Sequence, residues 1–488
     1  MRLHDALEVH VEIDGAVRLA GRLEARFAGG RTLASTSFSY EPTYLADPSS
    51  YQIDPRLPWS RAPIISGEDI RLFGAIRDLT PDSWGRQLIN ADLAVARREG
   101  SSIPRPVGDF DYLALTSDET RLGALRFRPV GVGPWLGEVG RADTLTERSI
   151  DRLAIAAARF ETHDATDEDL ELLRAPGSTM GGARPKATIR FEGRLALVKF
   201  PSDRDGRYDG EAWEMVALRL AERAGIDAQC GRLMRTVGGK STLVLTRFDR
   251  TATGSRVGYM SAATAMELND GDHSGVTYED LADAVDRHTG GDRSQLRELF
   301  KRVALTVLVN NVDDHWRNHG FLRVHGGWRL SPAFDINPSM SRGTVSSRPI
   351  SDEDDPRDRD IRLLAKTADT YGLSRTQAAE ALSEVLGAVG DWAPVAKEIG
   401  LSSSEIAEMS VAFSEEQQER AREAITTLGG GPLRIDMTGA AAPAPVTELS
   451  APESGVVWVA PHSRGGRRVP GFWRRRPASA AKPEREDD

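Results

Sequence analysis

A single cysteine, Cys230, in 488 residues excludes an intrachain disulfide and any cysteine-built metal cluster. No stretch approaches the ~20 consecutive apolar residues of a membrane-spanning helix, so no membrane partner is expected. The N-terminus, Met1-Arg-Leu-His-Asp-Ala6, lacks the apolar core of a signal peptide, and the cytoplasm is the expected location. Positive charge is also short: 63 Lys and Arg stand against 73 Asp and Glu, a net charge of -10. A general nucleic-acid binder needs a basic surface to neutralise phosphates, so that class is disfavoured. The length allows two or three domains around a sizeable core, and no internal repeat is visible.

What is there concentrates in one stretch. An apolar helical run ends in Asn310 and Asn311, followed by Val312-Asp-Asp-His-Trp-Arg-Asn318. A hairpin-like segment, residues 321–330, then leads through Ala333-Phe334 to Asp335. Polar groups this dense between buried apolar segments are costly unless they are hydrogen-bonded or bind something. Asp313 and Asn318 are five apart, and Asp335 lies beyond the next hairpin. Protein kinases place a catalytic Asp, an Asn five residues on and a metal-binding Asp after the following strand in this order. One Asp or Asn alone would read as a helix cap in a solvated loop.

A second stretch, Pro176-Gly-Ser-Thr-Met-Gly-Gly-Ala-Arg-Pro-Lys186, is rich in glycine and in hydrogen-bond donors. Gly181 and Gly182 let a backbone approach an anion, and Lys186 adds positive charge. It matches neither a Walker A loop nor G-x-G-x-x-G, and its weight comes from context. A hairpin follows directly, with Lys199 between Val198 and Phe200 on its second strand. A lysine alternating with buried neighbours points to the opposite face, where it can meet nucleotide phosphates. A helix over 211–224 offers Glu214, with Glu211 second, as the acid that fixes such a lysine.

The rest of the chain frames these stretches. Residues 9–13, 17–27 and 35–40 carry strand signals, with Gly29-Gly30 as a turn. Pro81-Asp-Ser-Trp84 reads as a helix start, and Trp84 as a core or interdomain contact. Helices are expected over 278–288, 294–309, 361–371, 375–389 and 414–428. From Gly429 onward Ala, Pro, Gly and Arg dominate, and the tail reads as mostly disordered. It carries Arg464, Arg467, Arg468 and Arg474 to Arg476 around Phe472 and Trp473, which read as a solubilising tail or as a pattern suited to phosphates and bases or to an acidic partner.

Taken together, Gly181-Gly-Ala-Arg-Pro-Lys186, Arg247-Phe-Asp-Arg250, Asn311-Val-Asp-Asp-His-Trp-Arg-Asn318 and Leu330-Ser-Pro-Ala-Phe-Asp335 resemble the HipA family. These are serine/threonine kinase toxins of bacterial type II toxin–antitoxin systems. Phe73-Gly-Ala-Ile-Arg-Asp78 and Pro81-Asp-Ser-Trp-Gly-Arg86 resemble the family's N-terminal part, so the likeness runs from residue 1 to about 428. The resemblance implies an α+β, two-lobed protein-kinase-like fold with a small β-rich N-terminal subdomain and a mainly helical C-terminal lobe. The corresponding divisions are 1–145, 146–260 for the kinase N-lobe, 261–428 for the C-lobe, and 429–488 for the tail. It implies ATP and Mg2+, with Asp313 as catalytic base, Asn318 and Asp335 as metal ligands, and Lys199 on the phosphates. Gly181, Gly182, Lys186 and Glu214 complete the expected nucleotide site, with His315 bracing the loop. It implies autophosphorylation at Thr179 or Ser178, a HipB-like helix-turn-helix antitoxin partner, and contact with DNA through that antitoxin. An aminoacyl-tRNA synthetase or another translation protein is the implied substrate. Two other readings stay open: a small-molecule kinase of the aminoglycoside phosphotransferase type, and a pseudokinase acting as a binding module.

Overall fold

Apolar–polar alternation near the N-terminus becomes an antiparallel meander in the computed structural model of the chain. The described residues are 4–67, 69–101, 106–131, 133–137, 145–174, 183–202, 206, 208–236, 239–269, 273, 275–341, 348–355 and 357–430, with the backbone of four short segments between 456 and 475. Strands β1 (Ala6–Ile13), β2 (Ala16–Ala28) and β3 (Thr32–Tyr40) pair in sequence. The β2–β3 turn is built on Gly29 and Gly30, both at positive φ as a tight turn requires. Helix α1 (Pro42–Ala46) leads to β4 (Ile64–Ile65), which adds to one edge. Helices α2 (Gly74–Arg77), α3 (Ser83–Arg98) and α4 (Asp109–Leu115) follow, and β5 (Leu125–Pro129) returns to the other edge. The sheet order is β4-β3-β2-β1-β5.

The second sheet is the frame of the site. After α5 (Ile150–Glu161) and α6 (Asp167–Arg174), the hairpin β6 (Lys186–Phe191) and β7 (Arg194–Lys199) starts it. Helix α7 (Gly210–Arg223) follows, then β8 (Gly231–Arg235) and β9 (Ser241–Thr246), giving the order β6-β7-β9-β8. Period-two alternation sorts the two faces. Ala187, Ile189, Ala196, Val198, Phe200 and Val244 pack with Trp84, Leu153 and Ala157 from α3 and α5. Leu197, Leu243 and Leu245 belong instead to the main core, with Trp213 and Val216 of α7.

Among the described residues the C-terminal lobe is helical apart from one small sheet. Strand β10 (Gly258–Ser261), α8 (Ala262–Ala265), α9 (Tyr278–Thr289) and α10 (Arg293–Leu308) precede the hairpin β11 (Gly320–Val324) and β12 (Gly327–Leu330). β10 joins that hairpin as its third strand. Gly320 is required there, since a Cβ would sit 2.3 Å from the Tyr259 ring. Helices α11 (Ile361–Lys366), α12 (Arg375–Gly390), α13 (Trp392–Ile399), α14 (Ser403–Met409) and α15 (Glu415–Leu428) complete the lobe. α11 stops five residues before the expected end at 371, because turns closed at Thr370 and Gly372 replace it.

Of the tail, expected to be mostly disordered, four short segments are described. It carries β13 (Val456–Val459), β14 (His462–Arg464), β15 (Arg467–Val469) and β16 (Phe472–Arg475), with β13 paired to β16 and β14 to β15. Val456-Val-Trp-Val459 and Phe472-Trp473 are strong strand formers, and a long Ala-, Pro- and Arg-rich window masks so short a signal.

The Arg247-Phe-Asp-Arg250 run welds the first sheet's unit to the second. Asp249 is fully buried and receives Arg247 through two bonds of 2.7 and 2.6 Å, Arg250, and the Gly123 amide at 2.7 Å. The two guanidiniums also donate to the main-chain oxygens of Glu119, Thr120 and Arg121. Burial would push Asp249 up, but the two arginines hold it well below the ordinary aspartate range. Asp249→Ala leaves both cations uncompensated and is expected to cost about 3–5 kcal/mol, read as a lower urea midpoint. Because the folded pKa is depressed, the native contribution is complete above the unfolded value of about 3.9 and drains as pH falls below it.

Candidate active site

Lys199 ends β7 on the sheet face opposite Val198 and Phe200, as alternation requires. Its ammonium donates to both oxygens of Glu214, at 2.8 Å each, and to Asp335 Oδ1 at 2.6 Å. Glu214 lies in the second turn of α7, and the Asp335 segment is held by a parallel bridge between Ala228 and Ala333. Burial alone would neutralise Lys199; the Asp335 and Glu214 carboxylates reverse that and keep it charged above its ordinary range. Burial likewise favours a neutral Asp335, and the Lys199 ammonium overrides it, so Asp335 is held far below the usual range. Glu214 shifts upward, through burial and its neighbour Asp335, so Asp335 is the firmly ionised member. Asp335 adopts φ 57, a left-handed conformation that Asp tolerates better than most residues.

The loop opposite is built by the end of α10. Asn310 takes φ 51 just past the helix; its amide bonds Val307 O at 3.1 Å, and the Asn311 amide bonds Thr306 O at 2.9 Å. That pair of bonds is a Schellman termination, for which Asn is the best choice after Gly. Asn310 Nδ2 also donates to Ser339 O and Ser341 O, tying the loop to the chain beyond Asp335. Asn318 Nδ2 donates to Asp313 O at 3.0 Å, which sets the five-residue turn. The Asp313 side chain is exposed at the cleft, yet the surrounding protein displaces enough water to raise its pKa; Asp335 and Asp314 add to the rise, and His315 opposes it.

Asp314 has another task. It is 3% exposed and receives the Tyr278 hydroxyl and Thr306 Oγ1 at 3.3 Å, with His319 Nε2 3.0 Å away. Burial would raise it; the His319 imidazole and the Tyr278 hydroxyl bring it below the ordinary range. His319 is thus the imidazole that braces the loop. His315, expected in that part, braces only through its main chain: its amide bonds Asp313 O and its carbonyl receives the Asn318 amide. Its ring Nδ1 is buried with no hydrogen-bond partner, because the tight turn aims the ring into the space near Asp313 and Asp335.

Gly181, Gly182, Thr179 and Ser178 lie outside the described residues. Just after them, Arg184 approaches Glu211 of α7 at 3.6 Å, and a Cβ on Gly210 would strike its guanidinium. Lys186 is 2% exposed and donates to Asp82 Oδ2 at 2.6 Å. Trp84 Nε1 donates to Lys186 O at 3.0 Å, which makes Trp84 a contact between the N-terminal unit and this sheet. Neither Asp82 nor His319 is singled out by sequence as a site residue; Asp82 lies in the Pro81-Asp-Ser-Trp-Gly-Arg86 run and is the N-cap of α3.

Among the described residues no group of three or more His, Cys, Asp or Glu could hold a metal by itself. Asp335, which lies near enough to Asp313 to raise its pKa, and the Asn318 amide oxygen are hard oxygen donors, the type that holds Mg2+ when phosphates and water supply the remaining ligands. The residues present therefore fit that ion. No helix among the described residues is long and apolar enough to cross a membrane.

Comparison with known proteins bears on the family and the fold. Residues 178–393 match the HipA-like C-terminal domain, and residues 15–128 match the HipA N-terminal domain. The solved HipA of Shewanella oneidensis, in a toxin–antitoxin complex with HipB and operator DNA, superposes with a TM-score of 0.58 at 17% identity. That match covers 88% of this chain and 100% of the other, and shows a shared two-lobed fold. A Haemophilus influenzae protein provisionally described as a kinase is 25% identical over 154 residues, which is 28% of this chain. The chain spans only 45% of that relative's length.

Asp314 and Asp313 are expected to separate by measurement. Asp314→Ala strands buried donors and costs about 3 kcal/mol of stability. Asp313→Asn removes a carboxylate whose raised pKa makes it unfavourable in the folded state, so the unfolding midpoint stays level or rises. Equal loss of stability in both variants would refute this division of labour.

Proposed function

The chain belongs to the HipA family, and from that premise we propose that it is an ATP-dependent serine/threonine protein kinase, the toxin of a HipA/HipB-like module. The observation that carries the reading is the Lys199 ammonium held between Glu214 and Asp335, with Asp335 close enough to Asp313 to raise its pKa. An ammonium fixed by a helix carboxylate is the element that kinases direct at nucleotide phosphates. Lys199 would bind the α/β-phosphates, with the 183–186 segment and Gly181-Gly182 beside them. Asn318 and Asp335 would hold Mg2+, which supplies charge neutralisation on the phosphate oxygens. Asp335 receives Lys199 and Asn337 on Oδ1, so Oδ2 is the oxygen a cation would take.

Asp313 orients the acceptor hydroxyl. As the bond from that oxygen to the γ-phosphorus forms and the bond to the β-phosphate oxygen breaks, the hydroxyl proton passes to the Asp313 carboxylate. The reaction is mainly positioning and electrostatic stabilisation, so a base that is exposed while its neighbours are fixed suits it. Thr179 or Ser178 would be the self-phosphorylated hydroxyl, and an aminoacyl-tRNA synthetase or another translation protein the external substrate. The partner would be a HipB-like antitoxin, through which the chain reaches DNA. The divisions at 145, 260 and 428 mark the same units in this reading.

Purified protein incubated with labelled ATP and Mg2+, alone and with lysate, tests the reading beside Asp313→Ala. Label on Thr179 or Ser178 and on a lysate protein, absent with the variant, is the expected result. Transfer to small alcohols alone would overturn it in favour of a small-molecule kinase, and wild-type-like transfer by Asp313→Ala would overturn the assignment of the base. The acid limb of kcat/KM is expected above the ordinary aspartate value of 3.8, since activity needs ionised Asp313 and that carboxyl is raised.

A further inference from the structure

Lys186 and Lys199 are directly opposed in the β6–β7 register. Directly opposed residues of an antiparallel pair share a face, so both side chains leave the sheet toward the cleft, roughly 5 Å apart at Cβ. Two ammoniums so placed repel one another, and each is too buried to be neutralised by water. Lys199 is balanced by Glu214 and Asp335, both from the kinase lobes. Lys186 is balanced by Asp82, which lies 104 residues earlier in the chain.

The Asp82 carboxylate is pinned at both oxygens. Oδ1 caps α3 by accepting the Gly85 amide at 2.7 Å, and Oδ2 takes Lys186. Its side chain is 4% exposed. Two residues on, Trp84 packs among Phe200 and Val198 on the far face and binds the Lys186 carbonyl. β6 is an edge strand, and the first turn of α3 therefore grips it from both sides at its first residue. Asp335 feels Lys186 as well as Lys199, which places the two lysines and the cleft acid in one cluster.

We propose that Asp82 is a positioning residue for the nucleotide: it holds the Lys186 ammonium beside Lys199, so that the N-terminal unit completes the phosphate-binding face. This rests on the kinase reading above. A triphosphate entering the cleft meets two fixed cations in place of one, and the second is fixed by a residue outside both kinase lobes. A clamp serving stability alone would act equally on every ligand of the cleft. A clamp serving phosphate acts only on ligands that carry it.

Calorimetric binding of ATP with Mg2+, and separately of adenosine, to the full chain distinguishes the two. Asp82→Asn keeps the cap acceptor and the shape but removes the charge. Asp82→Asn and Lys186→Met are each expected to weaken ATP binding by about tenfold. The double variant is expected to be no weaker than either single one, with adenosine affinity unchanged throughout. If Asp82→Asn fails to fold, Asp82→Ser retains the cap and takes its place. ATP binding at wild-type strength in the Asp82 variant overturns the proposal, and so does an equal loss for ATP and adenosine. A wild-type chain that binds no ATP overturns the kinase reading itself, a result distinct from either.

Discussion

An ammonium buried at the end of a strand must be matched by carboxylates or lose its charge. That requirement at Lys199 draws together three parts of the chain: β7, helix α7 through Glu214, and the segment after β12 through Asp335. None of these contacts is local, and each fixes one element against the sheet. The Asp335 segment is fixed a second time by the Ala228–Ala333 bridge and a third by Asn310, so the acid that faces the cleft has little freedom. A left-handed backbone at Asp335 is tolerable because so much surrounding structure determines it.

The N-terminal unit is attached by the same kind of chemistry. Asp78 accepts the Ser261 amide and hydroxyl at 2.8 Å each and the Thr264 hydroxyl at 2.7 Å. Those residues open α8, whose first amides bond Trp316 O and His319 O in the loop after α10. Asp78 therefore supports the loop at one remove, Asp82 holds the Lys186 ammonium, and Asp249 takes the Gly123 amide in return. Buried acids that reach across a seam are strict about geometry, because misplacing one leaves a charge without a partner.

Much of this was legible in the sequence where spacing carries the information. Separation alone singles out Asp313, Asn318 and Asp335 as candidates, and alternation with Val198 and Phe200 puts Lys199 on the other face of the sheet, where the structure has it. Of the two acids early in α7, the expected partner Glu214 is on the lysine and Glu211 is near Arg184. Contacts across more than a hundred residues were not legible. Asp82 looks like any helix cap, and nothing local says that its second oxygen holds Lys186. His315 and His319 differ only in which way a tight turn aims each ring, and no periodicity applies in a turn. The tail strands were hidden by composition, a property averaged over a window wider than the strands.

One hydrophobic cluster contains Leu7 and Phe38 of the first sheet, Trp213 of α7, Leu305 of α10 and Leu428 at the end of α15. Apolar contact thus runs without a break across the divisions at 145 and 260. For evolution this means that the parts descend as a block. A recombination event that joined the first hundred residues of one such gene to the remainder of another would have to match two halves of the same core. Diversity in lineages of this kind is expected to enter by exchange of surface residues and by additions beyond residue 428, rather than by shuffling of cassettes.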